Sequence, residues 1–206
     1  MTASDFRAAI QSRVATAQLD VDASLVAACA DYLQLLATWN RRINLTSLRL
    51  EPPTPDAAID RLIIEPLLAA GWLDPRARWL DLGSGGGSPA IPLKLARPDS
   101  ELTLVESRER KCAFLREAIR SLRITSAQVL QTRFEALDLP DGVSDAVTVR
   151  AVRMDAPLLD LVWGLLRRQG ALIVFGAVPR DSRFVHADAI RLGEGTEAAI
   201  HLLRKD

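Results

Sequence analysis

Histidine, cysteine and methionine occur only twice each in this 206-residue chain, and tyrosine once. The two cysteines, Cys29 and Cys112, are far apart and sit in apolar, helix-like contexts. Without a C-x-x-C pair or a histidine cluster, neither a zinc site nor a disulfide framework is indicated, and both are expected to be buried thiols of a reducing cytoplasm. His186 and His201 come late and read as strand or surface residues, so no acid/base dyad stands out. No apolar run approaches the length of a membrane span. Residues 1–14 lack the basic start and apolar stretch of a signal peptide, so a cytoplasmic location is expected. An excess of one charge is also absent: 26 Lys and Arg balance 26 Asp and Glu. That argues against tight non-specific nucleic-acid binding but leaves room for a local basic face.

What remains is a chain of one medium domain with a large apolar fraction, enough for a core of its own. The first fifty residues read as helical. Leu25, Val26, Cys29, Leu33, Leu36 and Trp39 form a helical stripe behind a candidate N-cap, Asp22. Residues 40–47 break the stripe, and Glu51-Pro52-Pro53-Thr54-Pro55-Asp56 reads as a stiff connector. A further helix is expected over 57–70. Strands then alternate with helices: strands at 78–82, 101–105, 127–131, 145–149 and 170–175, helices at 91–96, 108–121 and 156–166. The tail offers two strands, 187–192 and 199–203, with Gly193-Glu194-Gly195 suited to the turn between them. This pattern predicts an α/β, Rossmann-like fold. Its sheet would be mostly parallel, closed by an antiparallel hairpin, with a helical extension at 1–56 and the main domain at 57–206.

The most informative segment is Trp79-Leu80-Asp81-Leu82-Gly83-Ser84-Gly85-Gly86-Gly87-Ser88-Pro89-Ala90-Ile91-Pro92. A strand runs into an acid, a glycine elbow and a proline near a helix start. A second strand ends in Glu106, about twenty residues beyond the glycines, where an acid can accept hydrogen bonds from ribose hydroxyls. The spacing is D-x-G-x-G-x-G. The hydride-transfer fingerprint G-x-G-x-x-G fails at Ser88. Asp81 would repel a pyrophosphate but favours a cationic sulfonium, so the elbow points to S-adenosylmethionine and a methyltransferase.

The same residues resemble the RsmG (GidB) family, bacterial small-subunit ribosomal RNA guanine-N7 methyltransferases. The resemblance runs from about Asp31 to Ala151. It rests on Tyr32-Leu33-Gln34-Leu35-Leu36, Trp39-Asn40, Asn44-Leu45-Thr46, the cofactor loop, Arg97-Pro98, Val105-Glu106-Ser107, Lys111, Phe114-Leu115-Arg116, Arg133-Phe134-Glu135 and Val149-Arg150-Ala151. It implies S-adenosylmethionine as cofactor, held by Asp81, Gly83, Ser84, Gly85, Gly87, Ser88, Glu106, Phe134, Glu135 and Arg150. Gly83 and Ser88 would line the methionine end, Glu106 the ribose, and Phe134 and Glu135 the adenine. Arg150 would stand at the cofactor–substrate junction as the catalytic residue, and Asn44 and Arg61 would meet the RNA. Ribosomal RNA or the small subunit would be the partner, with no metal, no membrane and a monomeric state.

The chain departs from the family on the substrate side. Of its R-H-x-x-D-S motif only Arg61 stays, with Leu62, Glu65 and Pro66 in the other places. Ala90, Phe175, Ala198 and Ala199 replace further family residues, and the tail is short. A different RNA or small-molecule acceptor, and a non-catalytic adenosylmethionine-binding protein, therefore stand beside the ribosomal RNA methyltransferase. Guanine N7 carries its own lone pair and loses no proton on attack, so that reaction needs alignment more than a base. Further cations that could reach phosphate are Arg41, Arg42, Arg49, Arg108, Arg110 and Lys111. Trp39 sits on the apolar stripe, where core packing is expected of it.

Overall fold

A computed structural model describes residues 2–51, 54–191 and 199–206. Two long helices come first, α1 (Ala3–Thr16) and α2 (Ala23–Asn40). Asp22 caps α2, its carboxylate accepting from the Leu25 N–H at 2.7 Å, which satisfies a donor the helix start leaves unpaired. The predicted stripe is the inner face: Val26, Cys29, Leu33 and Leu36 are buried, and Tyr32 with them. Trp39 packs edge-on against Phe114, centroids 5.8 Å apart.

The single helix expected over 57–70 is instead a broken one. It comprises α3 (Asp56–Ile59), a π-helical stretch Asp60–Ile64, α4 (Glu65–Ala69) and a closing 3-10 turn Ala70–Trp72. Pro66 is the physical reason. It has no N–H for the carbonyl four residues back, and its ring crowds that carbonyl, so the ladder widens.

The rest is an alternating α/β run. Its elements are β1 (Arg78–Leu82), α5 (Ala90–Ala96), β2 (Glu101–Glu106), α6 (Glu109–Ser121), β3 (Ala127–Gln131), β4 (Ser144–Arg150), α7 (Ala156–Leu165), β5 (Leu166–Phe175), β6 (Phe184–Arg191) and β7 (Ala199–Lys205). They form one seven-stranded sheet in the order β3-β2-β1-β4-β5-β7-β6. β1 to β5 pair in parallel, and β7 lies antiparallel between β5 and β6. The order reverses between β1 and β4, so the crevice at the C-terminal ends of the strands is where a ligand is expected. β5 starts at Leu166, earlier than the 170 expected. Leu166 is buried and in register with Ser144, and that pairing overrides the helical tendency of the segment. The glycine turn expected at 193–195 lies outside the described residues.

On one side of the sheet α5 and α6 pack against the strands, α2 packs on these helices and α1 on α2, in one apolar core around Phe6, Leu33, Ile63, Trp79 and Phe114. The other packs against α7 around Leu158, Val162 and Phe184. Among the described residues no helix is long and apolar enough to cross a membrane.

Candidate active site

The site grows from the end of β1. The Gly83 and Ser84 N–H groups both donate to the Val105 carbonyl of β2, at 2.9 and 3.1 Å, which turns the loop across the sheet edge. The turn requires glycine at its ends. Gly83 has φ +75° and a Cβ there would lie 2.8 Å from Val152 Cγ2; Gly87 has φ +87° and a Cβ would lie 2.8 Å from Ile91 Cγ1. Both a left-handed backbone and a lack of room exclude side chains. The Glu106 carboxylate accepts from the Gly85 N–H at 3.0 Å and the Arg108 N–H at 2.8 Å, so β2 fixes the middle of the loop.

Two clefts flank this elbow. The first, about 320 Å³, is lined by Gly83, Ser84, Gly85, Gly86, Ser88, Lys111, Arg61, Leu62, Arg150 and, from the N-terminal segment, residues 45–48. The second, about 540 Å³, is lined by Gly83, Glu106, Ser107, Arg108, Arg133, Phe134 and Glu135 among others. Gly83 belongs to both. The structure thus brings the expected residues into two adjoining groups on either side of one glycine. Gly87 lies behind the loop. Asn44 is exposed and lines neither cleft. The shaping residue of that segment is Asn40. Its Nδ2 donates to the Thr46 carbonyl at 3.1 Å, while its Oδ1 accepts from the Leu45 and Thr46 N–H groups at 2.8 and 3.0 Å. Tyr32, fully buried, donates to the Gly86 carbonyl at 2.7 Å and ties α2 to the loop. Arg41 and Arg42 are exposed just beyond α2.

Asp81 is buried beneath the elbow. Its Oδ1 accepts from Thr148 Oγ1 at 2.5 Å and its Oδ2 is without a partner. Burial pushes its carboxyl up to about 6, against the hydrogen bonds from Thr148 and Ser84. An incompletely satisfied buried acid of this kind favours a nearby cation and disfavours phosphate.

Arg150, at the end of β4, meets the most partners. Its Nη2 pairs with Glu65 Oε2 at 2.6 Å, its Nη1 donates to Ser88 Oγ at 2.9 Å and to the Arg61 carbonyl, and its guanidinium lies 4.4 Å from the Phe175 ring centroid. Ser88 in turn donates to the Leu62 carbonyl at 2.9 Å. The carbonyls of Arg61 and Leu62 are the two that face Pro66 along the helix, five and four residues back. Proline offers them no N–H, and Arg150 and Ser88 supply the missing donors. Burial raises the Glu65 carboxyl and lowers the Arg150 guanidinium to about 10, in each case against the attraction of the other partner.

Sequence reasoning named Arg150 as catalytic. The structure commits its two terminal nitrogens to Glu65, Ser88 and the Arg61 carbonyl. Glu65, Thr148, Tyr32 and Asn40 were not among the expected site residues. The signals were present: an acid inside Leu62-Ile63-Ile64-Glu65-Pro66-Leu67, and a threonine in the otherwise apolar Ala146-Val147-Thr148-Val149.

A parallel five-strand core with an antiparallel β7, a glycine elbow after β1 and an acid at the end of β2 define a Rossmann-like, S-adenosylmethionine-dependent methyltransferase. Solved structures share this fold. A SAM-dependent methyltransferase from Aquifex aeolicus matches with a TM-score of 0.56 at 13% identity, over 70% of this chain and 90% of that one. The tRNA methyltransferase TrmI from the same organism matches with a TM-score of 0.52 at 15% identity, over 67% and 65%. The family profile described as rRNA small subunit methyltransferase G matches residues 26–203. Relatives named ribosomal RNA small subunit methyltransferase G include one from Xanthomonas oryzae pv. oryzae, 35% identical over 98% of this chain and 90% of its own length. Another, from Halorhodospira halophila, is 38% identical over 80% of this chain and 75% of its own length. The chain belongs to the rRNA small subunit methyltransferase G family.

Proposed function

We propose that this protein transfers a methyl group from S-adenosylmethionine to guanine N7 of small-subunit ribosomal RNA. The observation that supports it most is the pair of clefts meeting at Gly83, a polar loop cleft on one side and an acid-and-aromatic cleft on the other. They suit the two ends of that cofactor. The amino-acid end would lie against Gly83, Ser84, Gly85 and Ser88, with Lys111 available to its carboxylate. Ribose hydroxyls would donate to Glu106, and adenine would rest by Phe134 and Glu135. Asp81 and Gly87 support the loop from beneath.

When bound, S-adenosylmethionine supplies the electrophilic methyl group. The chain's own task is alignment. The main-chain ties of Gly83, Ser84 and Gly85 hold the loop still, and Arg150 holds Ser88 against the π-helix. Asp81 keeps negative potential beneath the cationic end. No residue has to remove a proton if the acceptor is N7, because its lone pair attacks directly, and orientation then supplies most of the acceleration. The same reading makes the working form a cytoplasmic monomer that uses no metal. Asn44 and Arg61 are its RNA contacts.

Calorimetric titration with S-adenosylmethionine and, separately, NAD is the test of the cofactor site. Micromolar binding of the former alone is expected, and binding of NAD alone would overturn the reading. Labelled methyl transfer is then measured on naked small-subunit RNA and on the assembled subunit, with N7-methylguanosine sought in the digest. Methylation of another acceptor only would reassign the substrate.

A further inference from the structure

The chain's two histidines are 15 residues apart in sequence, yet they meet in the closing hairpin. His186 lies on β6 and His201 on β7, and His186 Nε2 stands 3.0 Å from His201 Nδ1. A β-bulge makes the meeting possible. Before it His186 pairs with Leu203, and beyond it Ala189 pairs with His201. Strand side chains alternate between faces, so an unbroken β6 would turn residues 186 and 189 to opposite faces. The extra residue at the bulge brings His186 back to the face of Leu203, which is also the face of His201, two positions along β7. Asp188, past the bulge, goes to the other face and accepts from Trp72 Nε1 at 3.1 Å.

Two imidazole nitrogens held side by side at a surface can chelate an ion. Metal–imidazole bonds of about 2.0–2.1 Å put neighbouring nitrogens about 2.9 Å apart at a right angle and about 3.3 Å apart at the tetrahedral angle. The observed 3.0 Å lies nearer the square-planar value, the geometry of Ni²⁺ and Cu²⁺. A ring must be neutral to coordinate. Burial, His186 and Arg191 hold the His201 imidazole below its ordinary range, so it is neutral at pH 7. Arg191 pairs with Ala199 on the same face of the hairpin. His186 is exposed and His201 half-buried, so water can complete the coordination. Neither histidine lines the two clefts of the cofactor site.

We propose that His186 and His201 form a two-nitrogen surface site for a divalent transition ion, Ni²⁺ or Cu²⁺ in preference to Zn²⁺ and to the exclusion of Mg²⁺. The ion bridges β6, the outermost strand of the sheet, to β7 and pins the hairpin. It takes no part in methyl transfer, and the site stands whatever the acceptor.

The experiment uses the full untagged chain, stripped with a chelator and exchanged into a non-coordinating buffer. Ni²⁺, Zn²⁺ and Mg²⁺ are titrated calorimetrically. One Ni²⁺ per chain is expected with micromolar affinity, Zn²⁺ more weakly and Mg²⁺ not at all. His186→Gln and His201→Gln should each weaken Ni²⁺ at least about tenfold, because a single nitrogen cannot chelate. Arg191→Ala removes a neighbouring cation and should tighten Ni²⁺ a few-fold. Ni²⁺ should raise the unfolding midpoint of the wild type and leave that of His186→Gln unmoved, as a ligand of the folded state does. Circular dichroism checks that both histidine variants fold. Cu²⁺ gives an independent readout: its electron spin resonance should show coupling to two imidazole nitrogens in the wild type and to one in each variant. No Ni²⁺ binding, binding that survives either histidine substitution, or a wild-type Cu²⁺ spectrum without two nitrogens would each overturn the site and leave the rings a hydrogen-bonded pair only.

Discussion

The two halves of the crevice are built by different means. On the cofactor half, backbone does most of the work: N–H groups of Gly83, Ser84 and Gly85 are tied to the Val105 carbonyl and the Glu106 carboxylate. On the other half, long side chains and freed carbonyls meet from distant segments, with the buried Arg150–Glu65 pair at the centre and Arg61 beside it. Ser88 belongs to both, bonded to Leu62 and to Arg150. A backbone-built half tolerates few sequence changes because its geometry depends on which residues carry no side chain. A side-chain-built half can be rewired, as Pro66 does by turning helix carbonyls into acceptors.

The largest expected effect strikes the seam between the halves. Glu65→Ala leaves the Arg150 charge buried and unpaired, and a loss of about 3–5 kcal/mol of unfolding free energy is expected in urea titrations. If cofactor affinity survives while acceptor methylation falls, the halves are independent. If both fall together, Ser88 couples them.

Gly85→Asp tests the cofactor half alone. A Cβ there has ordinary clearance, 3.7 Å from the Gly83 carbonyl oxygen, so the fold should persist despite the left-handed backbone. The new carboxylate then fills the loop cleft. Adenosylmethionine affinity is expected to drop at least about a hundredfold, or roughly 2.7 kcal/mol, in calorimetry. Unchanged affinity would remove the elbow from the site.

Tyr32→Phe leaves the Gly86 carbonyl without its donor and should lower stability by about 1–2 kcal/mol in thermal unfolding. Adenosylmethionine affinity should fall with it in calorimetry. Asp81 gives a pH signature. Its folded pKa is raised to about 6, so the protonated acid is the form favoured by folding. Its stabilising contribution is complete below about pH 4, where the unfolded acid is also protonated, and is lost as pH rises through 6. Asp81→Asn should flatten that part of the stability profile. The smallest effect belongs to Arg78→Ala. Its pair with Glu101 lies at the far end of the sheet and is 60% and 61% exposed, so less than about 0.5 kcal/mol and no change in either cleft is expected.

Much of this was legible in the sequence, and the reason is locality. The elbow, the acid ending β2 and the aromatic–acid pair at 134–135 each occupy a few consecutive residues, and each depends on its own turn or strand end. The α2 stripe and its Asp22 cap were legible for the same reason. The break in the helix over 57–70 is not legible from propensity, which treats each residue as a helix former or breaker, whereas Pro66 sits where neighbouring side chains satisfy the carbonyls it orphans. That Asn40 pins the segment after α2 was not legible, because sequence does not show which of two nearby carboxamides faces inward.

By itself the sequence determined the sheet's elements, the glycine elbow and the acid that faces it, because turn chemistry and strand alternation act over a few residues. Only the tertiary structure decided that Glu65 meets Arg150 across 85 residues of chain. It also decided that Tyr32 holds the loop from 54 residues away. Those contacts exist because burying the faces of α2 and the broken helix in the core shared with α5 brings their polar groups to the strand ends, and a buried charge or carbonyl must find a partner there.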